Sequence, residues 1–182
     1  MNFNYETKRL ILKIENRDAA PMVQDFFIRN KLFFSSSDYA HNDDFYTLPF
    51  MEKMLDGEYQ LAMRQQSVRF WLYEKSAPGA ILGTISFNGI RPIPYSSCEV
   101  GYRLDEMMTG RGYAYEALSF MCDEMAKDLS LHRITAHIMP ENVPSLRLIE
   151  RLGFRYEGLC KRCVYINNNW EDHYLYAKLY ED

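Results

Sequence analysis

The chain has 182 residues, 47% of them apolar and 25% charged, with a net charge of −4. That length builds one domain with its own core, and the acidic balance excludes general binding to nucleic-acid backbone, which needs a basic face. No signal-peptide core opens the chain and no apolar run reaches the length of a membrane span, so the expected location is cytoplasmic, with no membrane partner. Arg9–Ile14 alternates as a strand, with Leu10, Leu12 and Ile14 on one side. Asp18 is placed to cap a helix running to about Asn30, with Met22, Phe26 and Phe27 on its apolar stripe. Residues 31–46 read as a long loop, of the kind that often carries function. A second helix starts near Pro49 and passes Met63, weakened by Gly57. Val68–Glu74 and Ala80–Asn88 read as a hairpin turning at Ser76–Gly79, and Ser97–Leu104 is the next strand. Gly112–Leu129 is a helix, Arg133–Met139 a strand and Val143–Leu152 a short helix stopped by Gly153. Phe154–Leu159, Cys163–Ile166 and His173–Leu179 are closing strands, the last two joined by the asparagine-rich turn 167–170. The order β-α-α-β-β-β-α-β-α-β-β predicts an α/β (α+β) fold. Its central sheet is mixed and mostly antiparallel, with helices on both faces and one domain over residues 1–182.

Two segments carry chemistry. In Thr109-Gly110-Arg111-Gly112-Tyr113-Ala114 the glycines allow positive φ and close approach of a ligand to the backbone. The segment opens into a helix, whose unpaired first-turn N–H groups form an anion site, and Arg111 adds charge. A glycine-bearing helix start without a ligand is the competing use. The Walker pattern and the dinucleotide fingerprint are both absent. Asn142 stands at the cap of the short helix, free either to cap it or to meet an extended ligand, and Ser145 lies three residues on. Cys160-Lys-Arg-Cys163 lacks the second pair a zinc site needs, and the histidines have no ligand spacing, so no metal is expected.

The strand Cys98–Leu104, the loop Thr109–Ala114 with Tyr115–Leu118, and the block Asn142-x-x-Ser145-x-Arg147-Leu-x-Glu150-x-x-Gly153-Phe154 resemble the GCN5-related N-acetyltransferases (GNAT). Together with Glu6–Leu12 and Tyr165–Tyr174 they look most like the branch of ribosomal-protein N-terminal acetyltransferases. The resemblance spans nearly the whole chain and is weakest over residues 31–66. It implies acetyl-CoA as donor. The pyrophosphate would lie on Gly110, Arg111, Gly112, Tyr113 and Ala114, and the pantetheine against the backbone of Tyr102, Arg103 and Leu104 where the strand parts from Arg133–Met139. Asn142 would meet the pantetheine and Ser145 the sulfur. Thr109 departs from the Gln or Arg common in the family, so one phosphate contact is expected to be missing or taken over by Arg111.

Strand alternation places Glu99, Gly101 and Arg103 on one face, opposite Val100, Tyr102 and Leu104. Glu99 is the candidate base, through a water; an ion pair with Arg103 or another basic group is its competing use. Ser145 is the candidate acid for the leaving thiolate. On the acceptor side Phe33, Phe34 and Tyr39 would cover the amine and Asp38 attract it, while Tyr174 lines the cleft or a dimer contact. The acceptor implied is a protein N-terminus, such as a ribosomal protein's, with a small-molecule amine or a non-catalytic acyl-CoA module as alternatives. A monomer or a homodimer would serve.

Overall fold

The computed structural model describes residues 1–35 and 41–181. Eight strands form one sheet: β1 (Asn4–Glu6), β2 (Leu10–Lys13), β3 (Val68–Glu74), β4 (Ala77–Arg91), β5 (Ser97–Leu104), β6 (Arg133–Ile138), β7 (Arg155–Ile166) and β8 (Asn169–Leu179). Their order in space is β1-β2-β3-β4-β5-β6-β8-β7. Every neighbouring pair is antiparallel except β5 and β6. The helices are α1 (Ala20–Arg29), α2 (Lys31–Phe34), α3 (Leu48–Met63), α4 (Tyr113–Asp128) and α5 (Val143–Arg151). The mixed, mostly antiparallel sheet with helices on both faces is therefore as expected.

Side-chain alternation splits the core in two. Phe70, Leu72, Ile85, Phe87 and Val100 face α4 and join its Ala117, Leu118, Met121 and Met125, with Ile149 and Leu152 at α5. Trp71, Tyr73 and Ile81 face the other way, against Val23, Phe26 and Phe27 of α1 and Met51 and Leu55 of α3. The alternation is that of strands buried on both sides, and each helix contributes one apolar stripe.

Several boundaries differ from the sequence reading. A short strand, β1, precedes the first expected one and pairs with it, Tyr5 opposite Leu12. Asn16, not Asp18, supplies the first cap: its Oδ1 accepts from the Asp18 N–H at 2.9 Å, over a 3-10 turn at Arg17–Ala19 that leads into α1. The described parts of 31–46 are α2 and a 3-10 turn at Asp43–Tyr46, not open loop. The two strands expected at 154–166 are one strand, interrupted by a register shift between Cys160 and Val164. The β7–β8 turn does carry positive φ at both Asn167 and Asn168, which favours a tight hairpin. Gly153 ends α5 at φ +88°, with the Phe154 N–H returning to the Ile149 carbonyl at 3.2 Å.

One buried carboxylate ties α1 to the strand that leads toward the glycine loop. Asp105, directly after β5, accepts from Arg29 Nε at 2.7 Å, Asn30 Nδ2 at 3.0 Å and the Met107 N–H at 2.9 Å. Its own N–H donates to the Leu82 carbonyl at 2.7 Å. Burial alone would raise its pKa; the bonds from Asn30, Arg29 and Met107 outweigh burial and hold it below the usual carboxylate range. Because the folded pKa lies below the unfolded one, this stabilisation is complete at neutral pH and is lost as pH falls through the folded value. Asp105→Asn is expected to cost about 2 kcal/mol at pH 7. Denaturant melts should show the difference from the parent shrinking steadily below about pH 4.

Candidate functional site

The parallel pairing of β5 with β6 is short. Ser97, Cys98 and Glu99 register with Arg133, Ile134 and Thr135, and there the ladder ends. The Thr135 hydroxyl marks the end by donating to the Cys98 carbonyl at 3.2 Å. Beyond it the two strands diverge, β5 keeping only β4 and β6 keeping only β8 as neighbours. The start of α5 stands across the gap, where the Tyr102 hydroxyl donates to the Ser145 carbonyl at 3.4 Å. Val100–Arg103 and Ala136–Met139 border this wedge. One edge of each strand keeps backbone groups that no strand pairs, and such groups call for a partner.

At the far end of β5 lies the glycine loop. Gly110 and Gly112 sit at φ +73° and +79°, and Gly112 caps α4 in the left-handed conformation. The first backbone bond of α4 runs from the Glu116 N–H to the Gly112 carbonyl at 3.1 Å, which leaves the amides of Tyr113, Ala114 and Tyr115 without an intrahelical acceptor. The loop is braced from β2. Arg9 donates from Nη1 to the Arg111 carbonyl at 3.0 Å and from Nε to Glu116 at 2.6 Å, and its guanidinium lies 4.3 Å from the Tyr113 ring. Glu116 also accepts from Thr7 and from the Arg9 N–H. Burial would raise the pKa of Glu116, but these bonds bring it below its ordinary value. The Tyr113 hydroxyl is spent on Glu74 at 2.6 Å and Thr109 Oγ1 on the Glu106 carbonyl at 2.8 Å. Of these two residues only the backbone, not the side chain, remains to serve an anion. Arg111 is exposed beside the loop.

The wedge opens onto a cleft of about 530 Å³. Its floor is the sheet face under α1 and α3, where Arg69, Ser86 and Gly101 stand in one cross-strand row. Phe50, Met54 and Glu58 of α3, with His41 and Phe45, form one wall, and His137, Asn142, Ser145 and His173 border the other side. Asn142 Oδ1 accepts from the Ser145 N–H at 3.2 Å, so this side chain caps α5 while bordering the cleft. Ser145 uses its backbone at both ends and keeps its hydroxyl free for the cleft.

Glu99 does not pair with Arg103. Its Oε1 lies 3.2 Å from His137 Nδ1, and it is His137 that borders the cleft. The hydrogen bond to Glu99 outweighs burial and raises the His137 pKa above its ordinary value. A carboxylate that fixes one imidazole nitrogen leaves the other to the cleft. Elsewhere on the acceptor side the structure departs from the candidate set. Phe34 is buried against Phe26 in the second core, and Phe33 packs on Phe34 rather than bordering the cleft. Tyr174 stacks edge-on against Tyr156 at 5.3 Å; alternation along β8 turns it away from the face that presents His173. Asp38 and Tyr39 lie outside the described residues. No cluster of metal-binding side chains occurs among the described residues, and none of their helices is long and apolar enough to cross a membrane.

Sequence reasoning missed His137, Glu58 and Arg69. Glu58 had a signal: it shares the i, i+4, i+7, i+11 stripe of Met51, Leu55 and Ala62, where a helix facing a core is normally apolar.

Residues 9–155 match the family model of the acetyltransferase (GNAT) domain. A probable N-acetyltransferase of Bacillus subtilis, YjcK, is 32% identical over 153 residues, 84% of either chain. The ribosomal protein uS5-alanine N-acetyltransferase of Escherichia coli is 26% identical, covering 94% of this chain and 88% of its own. The crystal structure of a ribosomal-protein-S5-alanine acetyltransferase from Vibrio fischeri superposes with a TM-score of 0.93 at 29% identity, over 100% of this chain and 98% of that one. The Glu99–His137 contact predicts that Glu99→Gln lowers the His137 pKa toward the ordinary histidine value, to be followed by NMR titration of the imidazole. An unmoved titration would mean that the contact does not persist in solution.

Proposed function

Since the chain belongs to the GNAT family of acetyl-CoA-dependent N-acetyltransferases, we propose that its acceptor is the α-amine of a protein or peptide N-terminus, ribosomal proteins included. The observation that carries the reading is the wedge between β5 and β6, with a glycine loop at one end and a cleft at the other. The full-length likeness to the uS5-alanine and S5-alanine enzymes supports the acceptor class.

The residues present fit the donor. The amides of Gly110, Arg111, Gly112, Tyr113 and Ala114 would hold its pyrophosphate, with Arg111 adding charge. Thr109, already bonded to Glu106, adds nothing from its side chain. The edge of β5 beyond its last pairing with β6, at Tyr102, Arg103 and Leu104, would receive the pantetheine as a strand receives a neighbour, with Asn142 bordering it. Acetyl-CoA supplies an activated acyl carbonyl and a thiolate leaving group.

The acceptor amine must be neutral when it attacks. An α-amine has a pKa near 8, so roughly one in ten is neutral at pH 7, against about one in a few thousand for a lysine amine. An N-terminus therefore needs little help from a base, and holding it beside the wedge supplies much of the rate. On this reading His137, held by Glu99, would take the amine proton, with Glu99 acting through it; the contact between the two supports this. The Ser145 hydroxyl would protonate the departing sulfur, and backbone amides of β5 would polarise the acyl oxygen.

Ser145→Ala leaves both bonds made by the Ser145 backbone in place, from its N–H to Asn142 and to its carbonyl from the Tyr102 hydroxyl. It is expected to lower kcat about tenfold to a hundredfold while leaving the Kd for coenzyme A unchanged by calorimetry. Gly112→Glu adds a like charge at the phosphate and a side chain at φ +79°; it is expected to abolish coenzyme A binding in a chain that still folds by circular dichroism. Thiol release with N-terminal peptides, and none with polyamines or aminoglycosides, would support the acceptor class; the reverse pattern would overturn it.

A further inference from the structure

Glu58 is a carboxylate on the inward stripe of α3, between Leu55 and Ala62. Its Oε1 is 2.7 Å from Arg69 Nη1. Its Oε2 and the Arg69 Nε–H have no hydrogen-bond partner, and they are two of the three such buried side-chain atoms among the described residues. The third, Ser97 Oγ, lies at the closed end of β5, where the ladder with β6 is intact. A buried polar atom left unpaired costs about 1–3 kcal/mol, so native folds keep few without a use. Both Glu58 and Arg69 border the cleft, each side chain about 21% exposed. The last torsion of a glutamate is soft, so a small turn brings Oε2 to the cleft without breaking the bond through Oε1.

We infer that the Glu58–Arg69 pair is the acceptor subsite, with Glu58 Oε2 taking the acceptor's ammonium and the Arg69 Nε–H the carbonyl next to it. One unspent acceptor and one unspent donor on a locked pair suit a group that offers a cation and an oxygen close together. The N-terminal residue of a peptide does so; a polyamine or a lysine side chain has the cation alone. The polar floor supports this use, since Ser86 and Asn88 lie beside the pair on the same face. Burial holds the Glu58 pKa above its ordinary value against the opposing charges of Arg69 and Arg103. A cation arriving in the cleft offsets that cost of a buried negative charge. The inference rests on the N-terminal reading for the carbonyl arm only; the ammonium arm holds for any primary amine.

The test is steady-state kinetics with acetyl-CoA and three probes: a tetrapeptide with a free N-terminal alanine, an N-terminally blocked peptide with one lysine, and spermidine. Glu58→Gln is expected to raise the tetrapeptide KM at least about tenfold, with kcat within a factor of about three, as loss of a charged hydrogen bond requires. The Kd for coenzyme A should not move. Arg69→Lys keeps the charge beside Glu58 but deletes the Nε–H; it is expected to raise KM for the tetrapeptide and not for spermidine. If Glu58→Gln fails to fold, Glu58→Asp decides, since it keeps the charge but withdraws it, and KM should rise in the same way. An unchanged KM in the glutamate variants, or equal losses of coenzyme A and amine affinity, overturns the subsite. An unchanged tetrapeptide KM in Arg69→Lys overturns the carbonyl arm. Turnover of spermidine with none of the tetrapeptide sinks the N-terminal reading, and Glu58 is then judged on spermidine. Silence of the parent enzyme with all three probes overturns both.

Discussion

A β-ladder that stops early is the constraint on which this molecule's site depends. Between β5 and β6 only three residue pairs form, although both strands continue. The other junctions in the sheet spend most of their backbone hydrogen bonds on a neighbouring strand, which stabilises the fold. Here the pairing is withheld, and the free edges run from a glycine loop to a polar cleft. The side-chain devices around the wedge all presuppose it. Tyr102 crosses the gap to Ser145, Asn142 caps α5 at its rim, and the Glu99–His137 pair begins where the last rung ends.

The cleft floor is a second departure from ordinary packing. The sheet face under α1 is closed by Trp71, Tyr73 and Phe26, a dry aromatic core. A few residues further along the same face the surface turns polar, with Arg69, Ser86 and Asn88 on the strands and Glu58 above them on α3. One helix therefore does two jobs along its length. Its first half seals a core with Met51 and Leu55, and its second half presents a carboxylate to the cleft. The change is made by a single residue in an otherwise apolar stripe.

Much of this was legible in the sequence, and the parts that were not share a cause. Period-two and period-3.6 patterns reported on local burial, so β3, β5, β6, α3, α4 and α5 were placed nearly to the residue, while β4 runs from Ala77 to Arg91 and takes in most of the turn expected at Ser76–Gly79. The glycine loop and the Asn142–Phe154 block were visible because positive φ and helix capping demand particular residue types. What stayed hidden were partners distant in the chain. Glu99 was readable as an unusual charge on a central strand, but its partner His137 sits on the next strand in space, 38 residues on. Arg103 was the nearer named candidate in sequence, and the partner is the other basic group left open there. Phe33 and Phe34 looked like cover for a ligand because they lie in a segment that resembled loop; a four-residue helix turns Phe34 into the core instead. Asn16 took the cap expected of Asp18 because a 3-10 turn began two residues earlier than the α-helical stripe.

The brace from Arg9 to the glycine loop has a consequence for how the protein assembles. Arg9 and Glu116 are 107 residues apart in sequence, yet their contact supports the carbonyl of Arg111 and the first turn of α4. The anion cradle is thus not a local motif that forms with its own helix; it is completed only when the N-terminal strands have docked on the sheet. Closing so long a loop is entropically costly and comes late in folding. By linkage, whatever binds the finished cradle also stabilises the docked N-terminal strands. Occupancy of the glycine loop should then be felt in slower amide exchange along β1 and β2, far earlier in the sequence.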